Sequence, residues 1–185
     1  MNDEQMLVQR AQQDLREFAS LYDRYAERIY AYAQRELGDI ALAQDVVSAT
    51  FEKALKNLPR YRWRGTSFGA WLYKIARNEI MMHHRRQKWT APLLDRFLSP
   101  HNVEQQVQQR QQLDELDVAL AQLSRSDQEL LRLRYHEALS HAEIGEVLNK
   151  SPRTVRVALH RALKRLRKQL AKQVSQEVMA DVPLP

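Results

Sequence analysis

Residues 140–167, with the sequence SHAEIGEVLNKSPRTVRVALHRALKRLR, constrain the fold more than any other stretch. Ser140 followed by Glu143 has the spacing of a capping box, which starts a helix. A short polar turn leads to Ser151-Pro152, where Ser is a good N-cap and Pro fits the first helical position because its missing N–H costs nothing there. The stretch therefore predicts two helices joined by a tight turn.

The second of these helices is amphipathic and strongly basic. Its apolar positions are Val155, Leu159, Ala162 and Leu166, and another face carries Arg153, Arg156, His160, Lys164 and Arg167. Between Glu146 and Glu177 there are nine basic residues and no acidic one. A helix that faces only water normally mixes charges, so a polyanion is the expected partner. The layout is that of a DNA-binding helix-turn-helix, and an ordinary bundle with a solvated basic face is the alternative.

The composition favours helices throughout. Only 4 Gly and 6 Pro occur among 185 residues, which argues against a turn-rich β-fold. The chain has no cysteine, so disulfides and cysteine-based zinc sites are excluded. No apolar run is long enough to cross a membrane, and the polar, acidic first residues are unlike a signal peptide. We expect a folded cytoplasmic protein without membrane insertion.

The charge is arranged in four blocks along the chain. Residues 1–52 and 95–146 each carry 5 basic and 10 acidic residues, a net charge of −5. Residues 53–94 carry 10 basic residues and 1 acidic residue, a net charge of +9, and residues 147–185 carry 9 and 2, a net charge of +7. This alternation predicts two modules, each with one basic surface.

Three amphipathic helices are predicted in the first module, after a short polar helix in residues 4–16. The first begins at Glu17 and ends near Gly38, the second extends from Asp39 to about Leu55, and Pro59 ends it. The third, with Ser67 as its N-cap, covers residues 68–88. Together they predict a small helical bundle.

Residues 60–67 alternate basic and aromatic side chains in the loop before the third helix. Arginines can neutralise phosphates while aromatic rings stack on bases, which is how single-stranded nucleic acid is held. The alternative is that Tyr61 and Trp63 fold back onto the core and that the arginines are solvated.

The C-terminal module follows a stretch that is poor in hydrophobic residues. Residues 89–103 are predicted to be a linker that becomes helical by about Gln106, and a helix covers residues 113–123. Ser124 and Ser126 can both act as N-caps, and Ser126 with Glu129 forms a capping box for a helix that ends near Ala138.

These stretches resemble the sigma factors of bacterial RNA polymerase, in particular the small extracytoplasmic-function (ECF) group. Four motifs carry the resemblance: Phe18xxLeu21-Tyr22; Ala43-Gln44-Asp45-Val46-Val47-Ser48-Ala49-Thr50-Phe51; Phe68xxTrp71-Leu72-Tyr73xIle75-Ala76xAsn78; and Ser140xxGlu143-Ile144 with Thr154-Val155 and Leu159-His160-Arg161-Ala162. Each motif is weak alone, but all four occur in the family's order.

The resemblance implies an all-α protein with two small domains. Residues 1–90 would bind core RNA polymerase, recognise the minus-ten element and help to melt it. Residues 91–110 would be a flexible linker, residues 111–175 would recognise the minus-thirty-five element, and residues 176–185 would be a tail. An anti-sigma factor commonly covers the same surfaces in this family, and no cofactor or metal is implied.

The resemblance also implies three sets of site residues. The set expected at the minus-thirty-five element is Ser151, Arg153, Thr154, Arg156, Val157, His160, Arg161, Lys164 and Arg165, of which Arg156, Val157 and His160 match base-facing positions. The set expected at the minus-ten element is Arg60, Arg62, Trp63, Arg64, Thr66, Ser67, Trp71, Tyr73, Lys74, Arg77 and Asn78. The set expected on the polymerase is Asp45, Val46, Ser48, Ala49, Phe51 and Glu52.

The chain also departs from the family pattern. Ser48 and Ala49 replace a polar pair that is usual on the polymerase-binding helix, and Val157 replaces a common Ser. Val157 can instead pack on a thymine methyl group. The promoter sequence that this chain recognises therefore cannot be inferred from the promoters of its relatives.

Two other classes of protein compete with this interpretation. An enzyme could use His136, the pair His141 and Glu143, or the His83-His84 pair, although none lies in a recognised metal-ligand or nucleophile motif. A one-step transcription regulator would explain the helix-turn-helix but not the basic, aromatic stretch of residues 60–88.

Overall fold

The structure is a computed structural model that describes residues 3–90 and 116–180, with side chains described for residues 3–85 and 116–172. Within these ranges the elements are helices, without a strand, so the all-α prediction is confirmed. The chain divides into two compact units, which are the described parts of residues 1–99 with 142–150, and of residues 100–141 with 151–185. The predicted linker lies almost entirely outside the described residues.

Most helices of the first unit lie in its N-terminal part. They are α1 (Asp3–Gln13), a 3-10 turn (Leu15–Glu17), α2 (Phe18–Leu37), α3 (Ile40–Asn57), a second 3-10 turn (Leu58–Arg60) and α4 (Phe68–Thr90). The second unit contains α5, described over residues 116–121, α6 (Arg125–Tyr135) and α8 (Pro152–Ala180). Between α6 and α8 the chain forms α7 (His141–Leu148), most of which groups with the first unit.

The corner between α2 and α3 forms as the sequence predicts. Gly38 has a φ of 67°, and its N–H donates to the Gln34 carbonyl at 2.8 Å. This left-handed conformation favours glycine, which ends the helix without a Cβ penalty. The Asp39 carboxylate then accepts the Leu42 N–H at 2.9 Å and starts α3.

The core of the first unit lies between α2, α3 and α4. The rings of Phe18 and Phe51 lie 6.2 Å apart across α2 and α3. The Lys53 ammonium contacts the Glu79 carboxylate at 2.6 Å and joins α3 to α4. Because Glu79 is only 6% exposed, this ion pair also satisfies a buried charge. This ion pair therefore ties α4 to α3.

Two N-caps were predicted for helix α6 of the second unit: Ser124 is confirmed, and Ser126 is wrong. The Ser124 hydroxyl, not that of Ser126, accepts the Asp127 N–H at 3.2 Å, and α6 begins at Arg125. Ser126 therefore lies inside the first turn, where it cannot form the predicted capping box with Glu129. The helix also ends at Tyr135, three residues earlier than expected.

The start of α8 agrees with the prediction. The Ser151 hydroxyl accepts the Thr154 N–H at 3.1 Å, and Pro152 is the first helical residue. Asn149 has a φ of 56°, a left-handed turn conformation that Asn tolerates better than most residues. The turn therefore leads directly into α8, where the Thr154 N–H is capped by Ser151.

Candidate nucleic-acid interface

The helix α8 buries one face and exposes the other. Val155 and Ala162 are fully buried and Leu159 is 5% exposed, so the apolar stripe is the packing face. The exposed residues of the predicted set are Ser151, Arg153, Thr154, Arg156, Val157, His160, Arg161, Lys164 and Arg165. Five of them surround a shallow hollow of about 460 Å³: Arg156, Val157, His160, Arg161 and Lys164. The structure thus brings the predicted base-facing residues together on one surface.

The electrostatic field of this surface is strongly positive. From Pro152 to Lys172 the helix has no acidic residue of its own. Cations in consecutive turns attract anions to this surface. A nucleic-acid duplex is a suitable partner because its phosphates carry regularly spaced negative charges. Val157, 43% exposed among these cations, adds an apolar contact point.

Arg165 differs from the other cations of α8. Its Nε and Nη2 atoms donate to the two carboxylate oxygens of Asp127, each at 2.7 Å. Asp127 is 7% exposed, so this bidentate pair joins α8 to α6. The prediction that Arg165 contacts phosphate is therefore revised, because its donors already hold a nearly buried carboxylate.

The loop between the second 3-10 turn and α4 presents basic side chains to solvent. Arg60, Arg62 and Arg64 are exposed, while Trp63, Thr66 and Ser67 are partly buried. Gly65 has a φ of 85° at the loop's bend, a conformation that favours glycine. The Ser67 hydroxyl accepts the Ala70 N–H at 3.2 Å and caps α4, as predicted.

Tyr61 folds back onto the core, whereas Trp63 is partly open to solvent. The Tyr61 ring centroid lies 5.3 Å from that of Phe68 and 4.8 Å from that of Trp71. Burial raises the pKa of the Tyr61 hydroxyl well above its ordinary value. For Tyr61 the packing alternative is correct.

The first turns of α4 continue the loop's surface. Trp71, Lys74 and Arg77 are partly buried and Asn78 is exposed, so their polar ends can reach solvent. Tyr73 is fully buried, with its ring 5.3 Å from that of Tyr32. The prediction that Tyr73 lies along DNA is wrong, because its position on the helix turns the ring into the core.

The predicted polymerase surface on α3 is also only partly exposed. Asp45, Ser48 and Glu52 are exposed and Ala49 is partly buried. Val46 is fully buried and Phe51 is 4% exposed, so both belong to the core rather than to a partner surface. The Phe51 ring lies 4.6 Å from that of Tyr22, a residue that is 44% exposed and extends the accessible surface toward α2.

Two residues of α1, Glu4 and Gln12, contact the two ends of the loop before α4. Neither was predicted to be part of the site. Glu4 is 4% exposed, and Gln12 donates hydrogen bonds to the loop's entry. The helical spacing of these residues could have revealed them. Glu4 and Gln12 lie on the same side of α1 as the apolar residues Val8 and Ala11, which mark its packing face.

Comparison with known proteins identifies the family. The Sigma-70 region 2 model matches residues 21–90, and the Sigma-70 region 4 model matches residues 113–166. The ECF sigma factor SigW of Bacillus subtilis is 30% identical over 167 residues, which cover 83% of this chain and 88% of that protein. The chain belongs to the ECF sigma factors. The ECF sigma factor BldN of Streptomyces coelicolor is 32% identical over 163 residues, 85% of this chain, but the match spans only 62% of BldN.

A solved structure supports the fold assignment of this ECF sigma factor. The sigma factor RpoE of Bartonella quintana, in complex with the anti-sigma factor NepR, aligns with a TM-score of 0.65 at 21% identity, over 84% of this chain and 97% of that one. The loop and all of α4 fall in region 2, and the basic residues of α8 up to Leu166 fall in region 4. Both candidate surfaces thus belong to regions that define sigma factors.

The described part of the chain contains no cluster of side chains that could bind a metal ion. Across residues 3–90 and 116–180, no three His, Cys, Asp or Glu side chains are grouped so that they could hold an ion. Among those residues, no helix is both long and apolar enough to span a bilayer.

Proposed function

We propose that this ECF sigma factor binds core RNA polymerase in the cytoplasm and directs initiation at promoters with two sequence elements. The observation that carries the proposal is the pairing of two different basic surfaces within one chain. One is the exposed face of a helix, which suits a duplex groove. The other is an exposed loop with a partly open tryptophan, which suits unpaired bases.

The α8 surface would read the minus-thirty-five element in the major groove. Arg156 and His160 offer donors to base edges, and Val157 offers an apolar contact to a thymine methyl group. Arg161 and Lys164 flank them and would neutralise phosphates. The N-terminal residues Ser151, Arg153 and Thr154 lie where a helix N-terminus meets the DNA backbone.

The loop would hold a base that is flipped out of the non-template strand of the minus-ten element. Extrusion of a base costs a few kcal/mol, so stacking and contacts to the exposed base edge must offset it. Trp63 would stack. The hydroxyl groups of Thr66 and Ser67 donate to the carboxylates of Glu146 and Glu143 in the free chain, and they would have to exchange these acceptors for the base. Arg60, Arg62 and Arg64 would bind phosphates, and the melted strand would continue along Trp71, Lys74, Arg77 and Asn78.

The exposed side of α3 would contact core polymerase. Asp45, Ser48 and Glu52 share this surface, with Ala49 at its edge. The Bartonella quintana relative was solved with an anti-sigma factor, which supports an anti-sigma partner for this chain as well. Such a partner would compete for the same surfaces.

A one-step regulator is the competing function, and dependence on core polymerase separates the two. The experiment measures duplex promoter binding by the purified chain and abortive initiation with and without core enzyme. The proposal predicts weak duplex binding alone and specific initiation only when both proteins are present. Tight operator binding by the chain alone, or the same initiation by core enzyme without it, would count against a sigma factor.

A further inference from the structure

Helix α1 holds the entry of the basic, aromatic loop. The Gln12 side-chain amide donates from Nε2 to the Leu58 carbonyl at 2.9 Å and to the Tyr61 carbonyl at 3.0 Å. The Tyr61 N–H in turn donates to the Leu58 carbonyl at 3.0 Å. One side chain therefore fixes the last turn before the loop, using both of its amide protons.

The same helix holds the loop's exit through Glu4. The Glu4 carboxylate accepts a hydrogen bond from the Tyr25 hydroxyl and, at 3.4 Å, from the N–H of Gly69, the second residue of α4. Gly69 and Tyr25 approach so closely that a Cβ at position 69 would lie 2.7 Å from the Tyr25 ring. The acceptor also lies at the N-terminus of α4, where the helix dipole favours a carboxylate.

These two anchors belong to one rigid element. Gln12 lies eight positions after Glu4, which corresponds to about 12 Å of helix at 1.5 Å per residue. Val8 and Ala11, 3% and 0% exposed, pack α1 onto the unit between the anchors. A loop whose two ends are fixed to one rod has fewer conformations to lose when it binds a ligand.

We propose that α1 positions the loop of residues 61–67 for the flipped base, with Gln12 as the main positioning residue. Helix α1 lies before residue 21, where the region 2 match begins, so the family pattern does not assign it this role. The inference rests on the proposed function for its consequence in promoter opening. The positioning itself can be measured on the free protein.

Hydrogen exchange of the free chain tests the positioning. Gln12→Met keeps the side chain's length and removes both donors, and Gln13→Ala is the matched control because Gln13 is exposed. Gln12→Met should speed exchange of the Tyr61 amide, which donates to the Leu58 carbonyl, by about fivefold or more, since a net hydrogen bond corresponds to roughly that factor. Exchange there that equals that of Gln13→Ala would overturn the proposal.

A second variant separates the hydrogen bonds from packing. Gln12→Glu has the same shape but presents acceptors to the two carbonyls, so it should speed exchange in the loop at least as much as Gln12→Met. If Gln12→Met loosens the whole unit while Gln12→Glu leaves the loop unchanged, Gln12 acts only through packing and the positioning role is wrong.

Promoter opening tests the consequence. With core polymerase, Gln12→Met should slow open-complex formation on duplex promoter by about fivefold, leave affinity for core enzyme unchanged, and recover on a premelted template. An equal loss on duplex and premelted templates would overturn the positioning role. Failure of the wild-type chain to initiate at all would instead refute the proposed function, and hydrogen exchange would still decide whether Gln12 holds the loop.

Discussion

The guanidinium of Arg165 holds the carboxylate of Asp127 through two parallel hydrogen bonds of 2.7 Å. Asp127 is the third residue of α6, and its own N–H is bound by the Ser124 hydroxyl. The pair therefore ties the start of α6 to the middle of the basic helix. Arg165 therefore has a structural role in this ion pair, whereas Arg161 and Lys164 face solvent.

Replacing Asp127 with Asn should destabilise the C-terminal unit. The amide cannot accept from both guanidinium donors, and the side chain is almost buried. Because Arg165 is half open to solvent, we expect a loss of roughly 1 kcal/mol in the free energy of unfolding. Urea denaturation measures it, and Asp117→Asn at an exposed position of α5 in the same unit serves as the control substitution.

The same pair predicts a pH dependence. The hydrogen bond from Arg165 lowers the pKa of the Asp127 carboxyl below its ordinary value of 3.8. Because the folded-state pKa is depressed, the added stability is complete above the ordinary value of 3.8 and is lost as the pH falls through the folded-state pKa. The difference in unfolding free energy between wild type and Asp127→Asn should be constant near neutral pH and shrink below about pH 3.8. A difference that grows on acidification would contradict the pairing.

Arg156→Ala should lose discrimination at one base pair of the minus-thirty-five element, by roughly 1–3 kcal/mol. Arg156→Lys is the matched variant because it keeps the charge and loses the planar fork of donors. Competition binding of the polymerase complex to single-base promoter variants measures both. An even loss across all variants would make Arg156 a phosphate contact.

Trp63→Ala should impair open-complex formation more than recruitment of the polymerase to the promoter. The aromatic face is needed only when a base leaves the stack, and stacking is worth about 1–3 kcal/mol per base. Trp63→Phe should retain part of the rate. Permanganate footprinting of duplex and premelted templates measures it, and a defect that persists on the premelted template would refute the stacking role.

Gly69→Ala should destabilise the first unit, because the new methyl group would meet the Tyr25 ring at 2.7 Å. Overpacking of this kind costs about 1–3 kcal/mol. In a Tyr25→Ala background the same substitution should cost less, since the opposing ring is gone. Thermal unfolding of the four proteins measures the cycle, and an equal cost in both backgrounds would show that the close approach does not matter.

The sequence predicted the local features of this fold well because they depend on near neighbours. Gly38, Asp39, Ser67 and Ser151 all terminate or cap helices where their residue types indicate. The basic face of α8 is likewise a matter of periodicity within one helix. These features need no knowledge of tertiary packing.

The errors in the candidate site occur where the tertiary environment decides. Val46, Phe51 and Tyr73 match family motifs, but their helices turn them into the core. A motif match identifies a position in the sequence. It does not show whether the side chain at that position faces the core or a partner when most residues around it are apolar. Arg165 and Gln12 depend on partners 38 and 46 or more residues away, which periodicity alone cannot supply.

Transcription from a randomised promoter library with core RNA polymerase tests the central claim most directly. The account predicts that transcripts appear only when core enzyme and this chain are both present. The selected templates should be enriched for two separate sequence blocks, one near minus ten and one near minus thirty-five. Equal transcription by core enzyme alone, or selection without any enriched block, would contradict it.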